Sequence, residues 1–239
     1  MIKLAKQSGF AVHLAIAFGG GANSAFDVPL DQFLANARAV DLKWAEIGEQ
    51  YKVESFAPSS EVDFQIFREY YNTDWEDEAA HREAAELSNE YHADILPALR
   101  NVFNGRLIYQ AGLYSPYLGS PGYDVFGTGV NSVGAELDTF ADLVLEIFSY
   151  AQTNADRQGS DWMVTELWLP TERNGETMYT PSGTPVSEIR PDLFRIAFEE
   201  YQKVTDRPPI GLGYTSEYDD REGRDTESEQ VISAFFGSL

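Results

Sequence analysis

The 239-residue chain has no cysteine. That excludes disulfides, thiolate catalysis and Cys-ligated zinc, and leaves the redox compartment open. Basic residues are scarce, 17 Lys and Arg against 39 Asp and Glu, for a formal net charge of -22. A chain this acidic is repelled by phosphates and anionic lipids, so neither nucleic acid nor a membrane is an expected partner. The acids are spread along the chain, as on the uniformly solvated surface of a halophilic protein. No run of about 18 apolar residues occurs, and "MIKLAKQSGF" has neither the apolar stretch nor the cleavage site of a signal peptide. The expected compartment is by default the cytoplasm.

What is present is a regular alternation. "GFAVHLAIAF" (9–18), "VESFAPSSE" (53–61), "RLIYQAGLY" (106–114), "YDVFGTGVN" (123–131), "WMVTELWL" (162–169) and "PIGLGYTSEY" (209–218) are compact apolar runs that read as strands. Between them lie helical stripes: Phe33, Ala37, Val40, Trp44, Ile47 and Tyr51; Leu87, Tyr91, Ile95, Leu99 and Val102; Leu137, Phe140, Val144, Ile147 and Ala151; Leu193, Ala197, Tyr201 and Val204. "TESEQVISAFF" closes the chain as a helix with capping-box spacing from Thr226 to Glu229. Strands alternating with helices predict an α/β fold with parallel strands, since parallel neighbours cannot be joined by a hairpin. Periodicity alone does not separate a doubly wound sheet from a barrel. In both, chemistry belongs at the carboxyl ends of the strands.

Those ends carry Gly19 to Gly21, Ser60 and Glu61, Tyr109 and Gln110, Asn131, Glu166 to Trp168, and Tyr214 to Glu217. Acids, amides and aromatics suit a neutral, hydroxyl-rich ligand. "FGGGANS" lacks the Lys and Ser/Thr of a phosphate loop, so a plain loop is expected there. His81 and His92 are eleven residues apart on one helix, about three turns, too far to share a metal. His13, mid-strand, reads as a core residue, and no metal or cofactor is expected. Strict alternation would put Val164, Glu166 and Trp168 on one face. Each glutamate alone is more often an acid where a strand meets solvent than a catalyst. Together they are the two carboxyls glycoside hydrolysis requires.

The segment "YDVFGTGVN … FADLVLEIFSYAQTNADRQGSDWMVTELWLPT" resembles the last third of the clan A (β/α)8-barrel glycoside hydrolases, in which "D-x-[IV]-G" opens strand six and "[VI]-T-E" closes strand seven. "VESFAPSSEVDF" is similar to their strand-four segment, "NGRLIYQAG" to strand five of the β-mannanase-like and endo-galactanase-like members, and "PPIGLGYTSEYDD…ESEQVISAFF" to strand eight and its helix. The resemblance implies a single TIM-barrel catalytic domain over residues 1–239 and a retaining mechanism on a β-linked glycan. Glu61 would be the general acid/base and Glu166 the nucleophile, about 5 to 5.5 Å apart in such a barrel. Ser60, Tyr109, Gln110, Asn131, Trp168 and Tyr214 would bind the sugar. Ser60 stands where the family has Asn, "GTGVN" replaces an aromatic near the end of strand six, and Tyr214 replaces a strand-eight Trp. A non-catalytic carbohydrate-binding or scaffold barrel is the alternative.

Counted back from strand seven, "GFAVHLAIAF" is strand three and Met1 falls within helix two. The expectation is an N-terminally truncated barrel of about six βα units, with self-association through open sheet edges. Two loops would shape specificity. Residues 170–192 would form either a lid carrying Tyr179 or a disordered insertion. Residues 68–81 offer Tyr70, Tyr71 and Trp75 either as sugar platforms or as packing beneath the next helix.

Overall fold

A computed structural model describes residues 2–19, 24–119, 122–173, 176–214 and 226–238. In chain order the elements are α1 (Ile2–Gln7), β1 (His13–Ala15), α2 (Leu30–Tyr51), β2 (Ser55–Ala57), α3 (Val62–Ile66), a π-helical turn (Phe67–Tyr71), α4 (Glu78–Val102), β3 (Arg106–Ala111), β4 (Val125–Asn131), α5 (Phe140–Gln158), β5 (Asp161–Trp168), β6 (Glu172–Arg173), β7 (Glu176–Thr177), α6 (Val186–Lys203), β8 (Leu212–Tyr214) and α7 (Glu227–Gly237). Six parallel strands form one sheet in the order β1-β2-β3-β4-β5-β8, so the expected α/β class holds. The register aligns His13 with Ser55 and Phe56 with Leu107. The chain divides into two compact units, Met1–Gly127 with Thr153–Asp161, and Thr128–Gln152 with Trp162–Leu239.

In the first unit, α2 departs from its expected stripe. The helix buries Phe33, Ala37, Asp41, Ala45 and Gly48, while Val40, Trp44 and Tyr51 stay 37–38% exposed. Small side chains let the helix approach closely: a Cβ on Gly48 would lie 3.1 Å from Val53 and 3.3 Å from Phe103. Asp41 is buried because it has hydrogen-bonding work to do, which hydropathy does not reveal. α4 starts at Glu78, about two and a half turns before the Leu87 that opens its predicted stripe, because Asp77 accepts the N–H groups of Ala79 and Ala80, both at 3.1 Å. Phe56 packs edge-on to Phe103, centroids 5.8 Å apart. His13, expected in the core, is instead exposed on β1 and bonded through Nδ1 to Ser55 Oγ at 3.0 Å.

In the second unit, Phe198 stacks on Phe235 at 4.0 Å and joins α6 to α7. Thr226 Oγ1 accepts the Glu229 N–H at 3.2 Å, the capping contact its spacing predicts. The segment after β5 is shorter than expected, since α6 begins at Val186 and accommodates Pro191 near its start. Described residues of the intervening segment are paired with one another and with Glu136, ahead of α5. β6 pairs antiparallel with β7, Met178 N–H donates to Thr171 O at 2.8 Å, and Glu136 accepts both the N–H and the hydroxyl of Ser182. Tyr179 is 59% exposed on it.

Candidate active site

Glu61 stands on unusual backbone. Ser59 and Glu61 both have positive φ, 41° and 58°, in the left-handed region where side chains other than glycine cost roughly 1–2 kcal/mol. Two buried acids hold this turn. Asp41 accepts the Ser59 N–H at 2.9 Å, its hydroxyl at 2.5 Å and the Tyr91 hydroxyl at 2.7 Å. Asp63 accepts the Leu113 N–H at 2.7 Å and the Gly112 N–H at 3.1 Å, which ties the end of β3 to α3. Burial pushes both carboxyls up to about 6, and the hydrogen bonds each accepts oppose that rise. The Ser60 N–H donates to Ile16 O at 2.7 Å and the Glu61 N–H to Gln110 O at 2.9 Å. The turn is thereby stitched to the ends of both neighbouring strands.

Gly112 completes this support. A Cβ there would come within 2.8 Å of Glu61 Cβ and 2.7 Å of Phe64 Cβ, so no larger residue fits behind the Glu61 stem.

Glu166 occupies a different distortion. β5 pairs with β8 as Val164 with Leu212 and Leu167 with Tyr214, three residues against two, so one extra residue is bulged out between them. The bulge corrects the alternation expected from sequence. Val164 and Leu167 share the buried face, at 0% and 1% exposure, whereas Thr165, Glu166 and Trp168 are half-buried. Glu166 and Trp168 remain two residues apart on one side, but Val164 is not with them. Gly213 makes the bulge possible: a Cβ there would sit 2.2 Å from the Thr165 carbonyl oxygen. Thr165 Oγ1 in turn donates to Thr128 O at 3.1 Å and links the bulge to β4.

The remaining predicted site residues separate by face. Tyr109 is fully buried; its hydroxyl meets Ser88 Oγ at 3.2 Å and its ring is edge-on to His92 at 4.6 Å. It faces α4 as a core residue, which corrects the expectation that it contacts sugar. Gln110, one residue on, points to the opposite face and is 5% exposed. Ser60 is likewise 5% exposed. Asn131 Oδ1 accepts the Val133 N–H at 3.1 Å in a turn closing the end of β4. Tyr214 pairs with Leu167 through its backbone; its side chain, Glu217, and Gly20 and Gly21 of the glycine run lie outside the described residues.

His92 is fully buried and lowered to about 3 by desolvation, with Nδ1 2.9 Å from the Tyr123 hydroxyl. No group of three or more His, Asp or Glu side chains suited to a metal occurs among the described residues. Among them, too, no helix is long and apolar enough to cross a membrane. Tyr70 packs on Phe33 at 5.8 Å with its hydroxyl on Val28 O at 3.2 Å, so it is packing rather than a platform. Asp41, Asp63, Gly112 and Gly213 are the supporting residues that sequence reasoning missed. Asp41 left one trace, an acid at four-residue spacing among Phe33, Ala37 and Ala45.

No family model and no curated protein matches the sequence. Solved structures do. A GH113 β-1,4-mannanase superposes with a TM-score of 0.65 at 16% identity, covering 100% of this chain and 77% of its own. A GH113 β-mannanase from Alicyclobacillus acidocaldarius, in complex with ManMIm, gives 0.61 at 12% identity over 100% and 76%. The endo-β-1,4-mannanase from Thermotoga petrophila gives 0.56 at 12% identity over 98% and 59%. The likeness is one of fold: the six-stranded parallel α/β sheet of this chain and its helices superpose on about three quarters of the two GH113 enzymes.

Proposed function

We propose that this protein is a retaining glycoside hydrolase acting on a β-linked oligo- or polysaccharide. Glu61 gives its proton to the glycosidic oxygen as the bond from that oxygen to the anomeric carbon breaks, and a carboxylate oxygen of Glu166 bonds to the same carbon. Glu61, now ionised, then takes a proton from water, whose oxygen displaces Glu166. Two displacements at one carbon retain its configuration. Trp168, Gln110, Asn131 and Ser60 position the sugar, and Tyr109 acts only by packing behind Gln110.

One observation carries this reading: Glu61, in the turn between β2 and α3, and Glu166, within β5, each stand on backbone that a surface acid does not need. Glu61 is in a left-handed conformation held by two buried acids, and Glu166 follows a bulge admitted by a glycine. Conformations that cost energy persist where the surroundings over-determine them, and they gather at functional sites. The names of the structural neighbours make β-1,4-mannan the first substrate to test.

The test is hydrolysis of β-1,4-manno-oligosaccharides, with the anomer of the first product read by NMR. The wild type should release the β-anomer. Glu166→Gln and Glu61→Gln should each lower kcat by about 1000-fold or more. A Glu166→Gln protein that hydrolyses at the wild-type rate overturns the assignment. Glycan binding without turnover by the wild type would mark the non-catalytic barrel instead.

A further inference from the structure

Three oxygens beneath the Glu61 turn form a closed triangle. Asp41 Oδ2 lies 2.5 Å from Ser59 Oγ and 2.7 Å from the Tyr91 hydroxyl, and those two hydroxyls are 3.0 Å from each other. All three side chains are buried, Asp41 and Ser59 completely. Every edge is of hydrogen-bond length, so the triangle holds three bonds only when three protons are shared among the three oxygens.

The two hydroxyls bring two of those protons. With Asp41 ionised, both point at Oδ2, and the Ser59–Tyr91 edge is two oxygens facing each other with nothing between them. With Asp41 protonated, each oxygen donates once and accepts once around the cycle, an arrangement in which buried hydrogen bonds reinforce one another. The proton also removes a buried charge. Burial raises the Asp41 carboxyl to about 6, in the direction the proton count requires.

Among the described residues, no cation pairs with Asp41. From α4, Tyr91 meets it, and the neighbouring His92 is neutral, lowered to about 3 by desolvation and bonded at Nδ1 to the Tyr123 hydroxyl. That hydroxyl, ahead of β4, is pushed well above its ordinary range by burial first and then by the charge of Asp41, with Arg100 opposing. Arg100 is itself engaged by Asp124 at 2.8 Å. On α2, Arg38 pairs with Asp94 of α4, and Lys43 with Glu46. The turn and α3 add two further acids, Glu61 and Asp63.

Ser59 is where the triangle reaches the site. Asp41 grips it twice, Oδ1 accepting its N–H at 2.9 Å and Oδ2 meeting its hydroxyl, at a φ of 41° that costs a serine energy. The Ser59 carbonyl oxygen accepts the Val62 N–H at 3.1 Å. Glu61 lies between these two fixed points, so a Ser59 that returns to ordinary backbone carries Glu61 with it.

We infer that Asp41 is a positioning residue for Glu61: its protonated form closes the triangle and holds the turn through Ser59, and loss of that proton releases Ser59 and misaims Glu61. The inference rests on the reading of Glu61 as the acid/base. It makes the alkaline side of the activity profile a property of Asp41 as well as of Glu61.

The experiment has two arms. In the first, the carboxyl carbon of Asp41 and the backbone amides of Ser59 and Val62 are followed by NMR from about pH 4 to 8 in the Glu61→Gln protein, which removes the titration of Glu61 itself. All these signals should move with one midpoint, and the amide shifts should vanish when Asp41→Asn is added. Amides that stay flat overturn the inference, as does a shift that persists with Asp41→Asn, which would belong to Asp63. In the second arm, kcat/KM on the glycan turned over best is measured against pH. Asp41→Asn, which accepts from the Ser59 N–H and donates to its hydroxyl at every pH, should carry the alkaline limb upward by about one pH unit or more. A limb that stays in place overturns the positioning role. Asp41→Ala should lower kcat at least tenfold at about pH 5, with Asp41→Asn recovering most of that loss; if Asp41→Ala fails to fold by circular dichroism, the Asp41→Asn profile decides. Full activity in Glu61→Gln would overturn the catalytic reading alone, and the first arm would still decide whether the turn follows the Asp41 proton.

Discussion

The Thr165 carbonyl oxygen occupies the space that a Cβ on Gly213 would need, 2.2 Å from its ideal position. One strand can therefore carry an extra residue only because its neighbour has no side chain there. Glu166 is the next residue after that carbonyl.

Gly213→Ala should force the two strands apart or expel the bulge. Overpacking of this kind costs about 1–3 kcal/mol, or roughly 2–12 °C in Tm for a chain of this size. Activity should fall more than stability: at a temperature where the variant is fully folded, kcat on the best substrate should drop at least tenfold. Full activity with an unchanged Tm would show that the bulge does not aim Glu166.

Asp41 and Asp63 predict an inverted pH response for their part of the stability. Their folded-state carboxyls titrate at about 6, above the ordinary 3.8, so the folded state holds their protons to higher pH than the unfolded chain. The stability tied to each proton is fully present below about pH 4 and is lost as pH rises through 6. Asp41→Asn keeps a neutral group that can accept from the Ser59 N–H. Relative to wild type, it should gain up to roughly 3 kcal/mol between pH 4 and 7. Urea unfolding across that range measures the difference, and parallel curves for the two proteins would refute the buried, raised carboxyl.

Salt should stabilise the protein. With 39 acids against 17 bases, self-repulsion opposes compaction, and molar salt shortens the reach of those charges to about 3 Å. Tm measured from 0.05 to 2 M KCl should rise by several degrees. A flat or falling Tm would mean that the acids are already balanced locally and would remove the case for a salt-adapted surface.

A lone substitution behind the other glutamate offers a matching measurement. Gly112→Ala would push on Glu61 Cβ at 2.8 Å. It should shift the acidic or basic limb of the pH–rate profile as well as lowering kcat, because the acid/base would be displaced. A profile identical in shape and height to wild type would separate Glu61 from the reaction.

Much of the architecture was legible because it is local. An apolar run of six to ten residues, a stripe at steps of three and four, or a Thr three residues before a Glu is decided by neighbours within one turn or strand. The order of the six sheet strands and of α2, α4, α5, α6 and α7, and the Thr226 cap, could be read that way. The Asp77 start of α4 and the β6–β7 pairing after β5 were missed. Their signals are a single capping side chain and two residues per strand, too brief to form a period.

What the sequence alone determined is thus an acidic α/β chain with Glu61 just beyond one strand and Glu166 near the close of another. Only the tertiary structure decided how those carboxyls are held. The left-handed turn at Ser59 and Glu61 depends on Asp41, eighteen residues away from Ser59 on α2, and on the close approach of Gly112. The face on which Glu166 emerges depends on Gly213 in a strand that follows a whole helix later. Periodicity describes how a segment repeats along itself, whereas a bulge or a buried acid is created by what packs against it.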